Sequence, residues 1–125
     1  MIRVRNATKI TENGIKFDSK LEHYLYHKLK EYSIPFEYNQ NVYEVLPAFK
    51  YHDEKFRSIT YKPDFVNENW VIECKGFPNE SWPLRKKLFL WHLHNTTPHK
   101  KFYTVRNKKE IDNLITKLIK NEQTR

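Results

Sequence analysis

Apolar positions recur along this chain in two rhythms, helical and alternating, and turn residues mark where one gives way to the other. Leu21, Leu25, Leu29 and Tyr32 share one face at helical spacing, with Lys20, Lys28, Lys30 and Glu31 largely off it. Ser19 and Glu22 form a capping-box pattern just ahead of that stripe, so a helix is predicted from Ser19, stopped by Pro35. Residues 36–38 and 42–46 read as short strands, and residues 47–58 hold a turn at His52-Asp53-Glu54. Two aromatic and β-branched runs follow, 61–65 and 70–76, joined by a turn at 66–69. Together they predict a central β-hairpin ending at Gly76. Ser81 is placed to cap a second helix, with Pro83 in its first turn and Leu84, Leu88 and Trp91 on one face. Thr96-Thr97-Pro98 ends it, and residues 102–105 form a strand. Asn107 with Glu110 then caps a last helix, striped by Ile111, Leu114, Ile115, Leu118 and Ile119.

Residues 1–17 alternate only thinly and are basic, reading as an arm or an edge strand ahead of one domain over 18–125. The order α-β-β-β-α-β plus a C-terminal helix predicts the α/β class, with a mixed, mostly antiparallel sheet flanked by helices.

Composition narrows the partners. The 125 residues hold 23 Lys and Arg against 15 Asp and Glu, a net charge of +8 that favours a polyanion such as nucleic acid. Eight of those cations fall within residues 85–109, where there is no Asp or Glu. Arg85 and Lys87, with Lys86, Lys100 and Lys101, are the expected phosphate contacts, and Arg3 and Arg5 of the arm join them. The one cysteine, Cys74, excludes an internal disulfide and fits a reducing compartment. No apolar run is long enough to span a bilayer and no signal-peptide core opens the chain, so the expectation is a cytoplasmic protein without a membrane partner.

The chemistry concentrates in the central hairpin. Asp64 is expected in its first strand and Glu73 and Lys75 in its second, two apart and therefore on one face. That brings two acids and a lysine within roughly 7 Å in a run that otherwise looks buried, where charges are costly unless paired or bound to a cation. Carboxylates in small number suit a hard divalent cation that acts on phosphates, and the Cys74 carbonyl could add a ligand. Lys75 would orient or deprotonate a water, or steady charge on phosphorus. Glu22, beside the face of Leu25 and Leu29, is the candidate third acid; as the third residue of a capping box it could instead only bond Ser19.

The ordered blocks Phe17-Asp18-Ser19-Lys20-Leu21-Glu22, Tyr61-Lys62-Pro63-Asp64-Phe65, Glu73-Cys74-Lys75-Gly76 and Arg85-Lys86-Lys87-Leu88 resemble the PD-(D/E)xK nuclease superfamily. Within it they resemble the phage endonuclease I family of Holliday-junction resolvases, and small phage proteins that share the first block. The resemblance spans roughly residues 16–106. It implies a restriction-endonuclease-like fold and a homodimer nicking branched DNA. It also implies Mg2+ or Mn2+, two per active site, at Glu22, Asp64 and Glu73, with Lys75 essential and no small-molecule cofactor. The last helix and the 47–58 insertion depart from the family pattern.

Other readings stand beside this one. The same scaffold could cut other DNA or RNA, or bind DNA without cutting. A lysine beside two acids discriminates against a pure binder. His92 and His94, two apart, make a poor zinc pair on a helix. Trp82 and Trp91 could stack on bases, with core packing the safer expectation for Trp91. The stripe of the last helix could be a dimer seam, but is more simply packed on its own chain.

Overall fold

The computed structural model describes residues 9–123. In chain order the elements are β1 (Ile10–Glu12), β2 (Ile15–Phe17), α1 (Lys20–Glu31), β3 (Glu37–Tyr38) and β4 (Tyr43–Leu46). Then come β5 (Phe49–Tyr51), β6 (Glu54–Phe56), β7 (Ile59–Tyr61), β8 (Phe65–Val66) and β9 (Trp70–Cys74). The chain closes with α2 (Trp82–Thr96), β10 (Lys101–Val105) and α3 (Lys108–Gln123). The protein is thus mixed α/β, with mostly antiparallel pairing. Its contacts divide it into two compact units. One is drawn from the stretch up to residue 36, residues 74–77 and the stretch from 104 onward; the other comprises 37–73 and 78–103.

In the first unit, β1 and β2 pair around the two-residue turn Asn13-Gly14. Both turn residues have positive φ, 51° and 78°, the mirror-image turn whose twist suits a hairpin. Residues 10–17 therefore form a ribbon, and its last residue Phe17 is 1% exposed, edge-on to His23 and Tyr26 of α1. Ser19 caps α1 as predicted, its hydroxyl accepting from the Glu22 N–H. The buried face of α1 is Glu22, Leu25 and Leu29, while Tyr32, predicted on that face, is exposed. The reason is local. The helix closes before Pro35, with Ile34 N–H bonding the Leu29 carbonyl, Ser33 N–H bonding the Lys30 carbonyl, and Ser33 at φ 55°. This turns Ile34 inward and leaves Tyr32 outside. In α3, Ile111, Leu114, Ile115 and Leu118 are buried as the stripe predicts. The helix packs on α1, and the Tyr24 hydroxyl bonds Asp112 at 2.6 Å. Its apolar seam is covered by its own chain.

In the second unit the predicted first strand of the central hairpin is broken at Lys62-Pro63-Asp64. β7 pairs with β4, whereas β8 pairs with β9, Phe65 opposite Ile72 and Val66 opposite Val71. Proline lacks the N–H that a continuous ladder needs. Asp64 consequently sits at a bend just before β8, not within a strand. The turn ahead of β9 is held by Asn67, whose side-chain oxygen accepts from Asn69 and Trp70 N–H. β3, β8, β9 and β10 lie in that order in one sheet. β9 ends at Cys74, short of the predicted Gly76. β5 and β6 form a separate ribbon about the turn His52-Asp53, within the segment predicted as an insertion.

The core of this unit gathers Val45, Tyr61, Val66, Val71, Trp82, Phe89 and Leu93. The predicted face of α2 holds at Leu88, which packs partly buried against this core, and is overturned at its other two positions. Trp82, Phe89 and Leu93 are buried, whereas Leu84 and Trp91 are 60% and 64% exposed. Trp91 is therefore a surface residue and Trp82 a core one. Ser81 does not cap with its side chain: it is itself in a helical conformation, and its hydroxyl bonds Asn79.

Candidate functional site

Two groups of the predicted residues can be described, one in each unit. In the second unit, β9 is buried throughout its first four residues, and the fourth is Glu73, 6% exposed. A buried carboxylate needs donors. Tyr61, at the end of β7, donates its hydroxyl to Glu73 Oε1 at 2.6 Å. Burial, then the charges of Glu73 and Asp64, push that hydroxyl far above the usual tyrosine range, with Arg85 opposing. Tyr61 thus stays protonated and keeps donating. Asp64 is half-buried, and its carbonyl accepts from Asn39 N–H.

Sequence reading missed Tyr61 as a positioning group, since it counted only as an aromatic strand residue. No local signal marks the pairing, because Tyr61 lies opposite Tyr43 in its own ladder and meets Glu73 only through the fold.

In the first unit, Glu22 and Lys75 line one cavity of about 550 Å³. Asp18, Lys20, Arg106 and Lys108 complete its charged lining, so four cations outnumber two acids. Cys74 lies on its wall and Lys75 N–H is fixed by the Val105 carbonyl at 2.9 Å. The Lys75 side chain is half-buried. Glu22 is 6% exposed, and its Oε2 accepts from the Ser19 hydroxyl at 2.9 Å. The capping role and the inward position therefore coexist, because the helix stripe that buries Leu25 and Leu29 also carries Glu22. Glu73 and Cys74 close β9, and Lys75 is the residue that follows it.

The predicted cations are distributed as follows. Arg85 is exposed on α2 and donates to the Thr60 carbonyl at 2.6 Å. Lys86 follows the buried line of Trp82, Phe89 and Leu93 and is half-buried, whereas Lys87 is exposed. Lys100 and Lys101 flank the start of β10, the Lys101 N–H bonding the Asn69 carbonyl. Arg3 and Arg5 lie outside the described residues. His92 stacks on Phe89 as a packing residue. Among the described residues, no helix is long and apolar enough to cross a membrane.

Oxygen donors make up the acidic groups, the ligand chemistry of magnesium or manganese. A buried carboxylate that accepts from a phenol fits such an ion. In comparison with known proteins, residues 3–111 match the family described as "Protein of unknown function (DUF1064)". No curated protein and no solved structure matches.

Proposed function

The chain belongs to the DUF1064 family, whose description names no activity, and we propose a metal-dependent DNA endonuclease, its carboxylates and cations carrying the nuclease reading and the resemblance to the endonuclease I family alone implying the junction-resolving type and the homodimer. The observation that carries this reading is the Glu73 carboxylate, buried on β9 and oriented by the Tyr61 hydroxyl.

In this reading Asp64 and Glu73 hold Mg2+ or Mn2+, and the resemblance to the nuclease superfamily implies Glu22 as a further acid. The cations supply Lewis-acid charge toward a scissile phosphate. Tyr61 holds Glu73 in one rotamer. Lys75 steadies developing negative charge or takes part in activating water. Lys20, Arg106 and Lys108 line the same cavity as Lys75 and suit a phosphate. Arg85, Lys86 and Lys87 contact the backbone from α2. The β5–β6 ribbon supports a nucleic-acid partner as well. It exposes Phe49, Tyr51 and Phe56 together with Lys50, Lys55 and Arg57, and a two-stranded ribbon fits a major groove.

The test incubates the protein with a four-way junction, plain duplex and single strand, in magnesium or in chelator. Paired nicks confined to the junction and abolished by chelator are expected. End trimming or RNA cleavage would move the activity to another nuclease of the superfamily, and binding without cleavage would leave a DNA-binding module. Asp64→Asn should bind with unchanged affinity and cut about 100-fold slower or worse. Normal cutting by that variant would remove Asp64 from the site.

A further inference from the structure

A second cluster of ligating side chains takes no part in the reading above. His23 and His27 stand one turn apart on α1, and Glu12 ends β1 just before the Asn13-Gly14 turn. The Nε2 atoms of both histidines point at a single oxygen, Glu12 Oε2, from 2.5 and 2.7 Å. The three ligand atoms lie within 4.8 Å of one another. Around a tetrahedral zinc with bonds near 2.0–2.1 Å, neighbouring ligand atoms stand about 3.3 Å apart. Small side-chain movements therefore separate the observed cluster from a loaded one. The rings are held from outside: Phe17 packs edge-on to His23, and Tyr26 edge-on to His27. Side-chain exposures of 30% for His23, 40% for Glu12 and 49% for His27 leave a path for an ion.

We propose that Glu12, His23 and His27 form a transition-metal site, for which Zn2+ is the fitting ion, fastening the β1–β2 ribbon to α1. The donor set selects the metal. Imidazole nitrogen suits zinc, whereas Mg2+ and Ca2+ take oxygen. Two histidines at i and i+4 present both nitrogens to one point, and a carboxylate from another element closes the triangle. In the loaded site each imidazole turns its Nε2 lone pair to the metal, carrying its proton on Nδ1. Three protein ligands leave a fourth position to water. Because the ligands come from two elements, metal occupancy joins a short ribbon to a helix, and binding to the folded chain alone adds stability.

Titration of the full-length protein with Zn2+, and with Co2+ as its visible reporter, tests this directly. One ion per chain and the absorption of tetrahedral Co2+ are expected, together with a rise in melting temperature. Glu12→Gln, His23→Gln and His27→Gln should each weaken binding by at least about 10-fold. Asp64→Asn and His92→Gln should leave it unchanged, which separates this site from the proposed catalytic carboxylates. If the variants fold poorly, imidazole nitrogen resonances of the unaltered protein decide: those of His23 and His27 should shift with Zn2+ and saturate at one equivalent. Absence of binding, shifts at other histidines, or affinity indifferent to the three substitutions would overturn the site.

Discussion

Ser33 holds a left-handed conformation, φ 55°, at the point where α1 closes. An L-residue there is strained by roughly 1–2 kcal/mol, and glycine is not. Ser33→Gly should therefore stabilise the protein, by about 1 kcal/mol once the greater freedom of glycine in the unfolded chain is subtracted. Urea unfolding reads this out, and a destabilised variant would mean that the serine hydroxyl contributes something beyond backbone geometry. Asn13 and Asn39, at φ 51° and 56°, solve the same geometric problem with a side chain that tolerates it. At this scale the capping serine of α1 was legible because Ser19 and Glu22 interact over three residues of sequence. Ser33 was not, since nothing but the closing hydrogen bonds to Leu29 and Lys30 marks it.

Among the elements, α3 shows how capping depends on charge. Asn107 accepts from the Glu110 N–H, and Glu110 in turn accepts from the Arg106 N–H and guanidinium. The Arg106 side chain, then its backbone N–H, holds the Glu110 carboxyl below its ordinary value of 4.5. A depressed folded pKa means that the contribution is present above the ordinary value and is lost as pH falls through the folded one. The stability gap between the native chain and Glu110→Gln should accordingly close as pH drops below 4.5. Unfolding midpoints of both, measured across that range, check it, and a gap indifferent to pH would place the stabilisation elsewhere.

α2 teaches the opposite lesson about legibility. It carries apolar residues on all sides, so Leu84, Leu88 and Trp91 made as good a stripe as Trp82, Phe89 and Leu93. Periodicity distinguishes faces only when one of them is polar. The central hairpin is present as β8 and β9, but its first strand is divided, because Pro63 interrupts a run whose composition is otherwise that of one strand.

At the scale of the whole molecule, the net charge of +8 should dominate affinity for nucleic acid. The observed binding constant is expected to fall steeply with salt, by about 0.9 log units per log unit of salt for each phosphate neutralised on duplex DNA. Replacing Lys50, Lys55 and Arg57 by alanine should flatten that slope by about 0.9 for each phosphate that is no longer neutralised. A slope unchanged by these substitutions, measured by fluorescence anisotropy over a salt series, would remove the β5–β6 ribbon from the interface.

The α/β class, the capping of α1 and α3, the stripe of α3 and the short strands around the central turn were all determined by sequence alone, because each depends on residues within a few positions of one another. Which face of α2 is buried, where the run through Pro63 divides, and that Tyr61 holds Glu73 were decided only in three dimensions. The same is true of Glu12 meeting His23 and His27. In each of these, the deciding partner stands many residues away, and no local rhythm of apolar and polar positions encodes it.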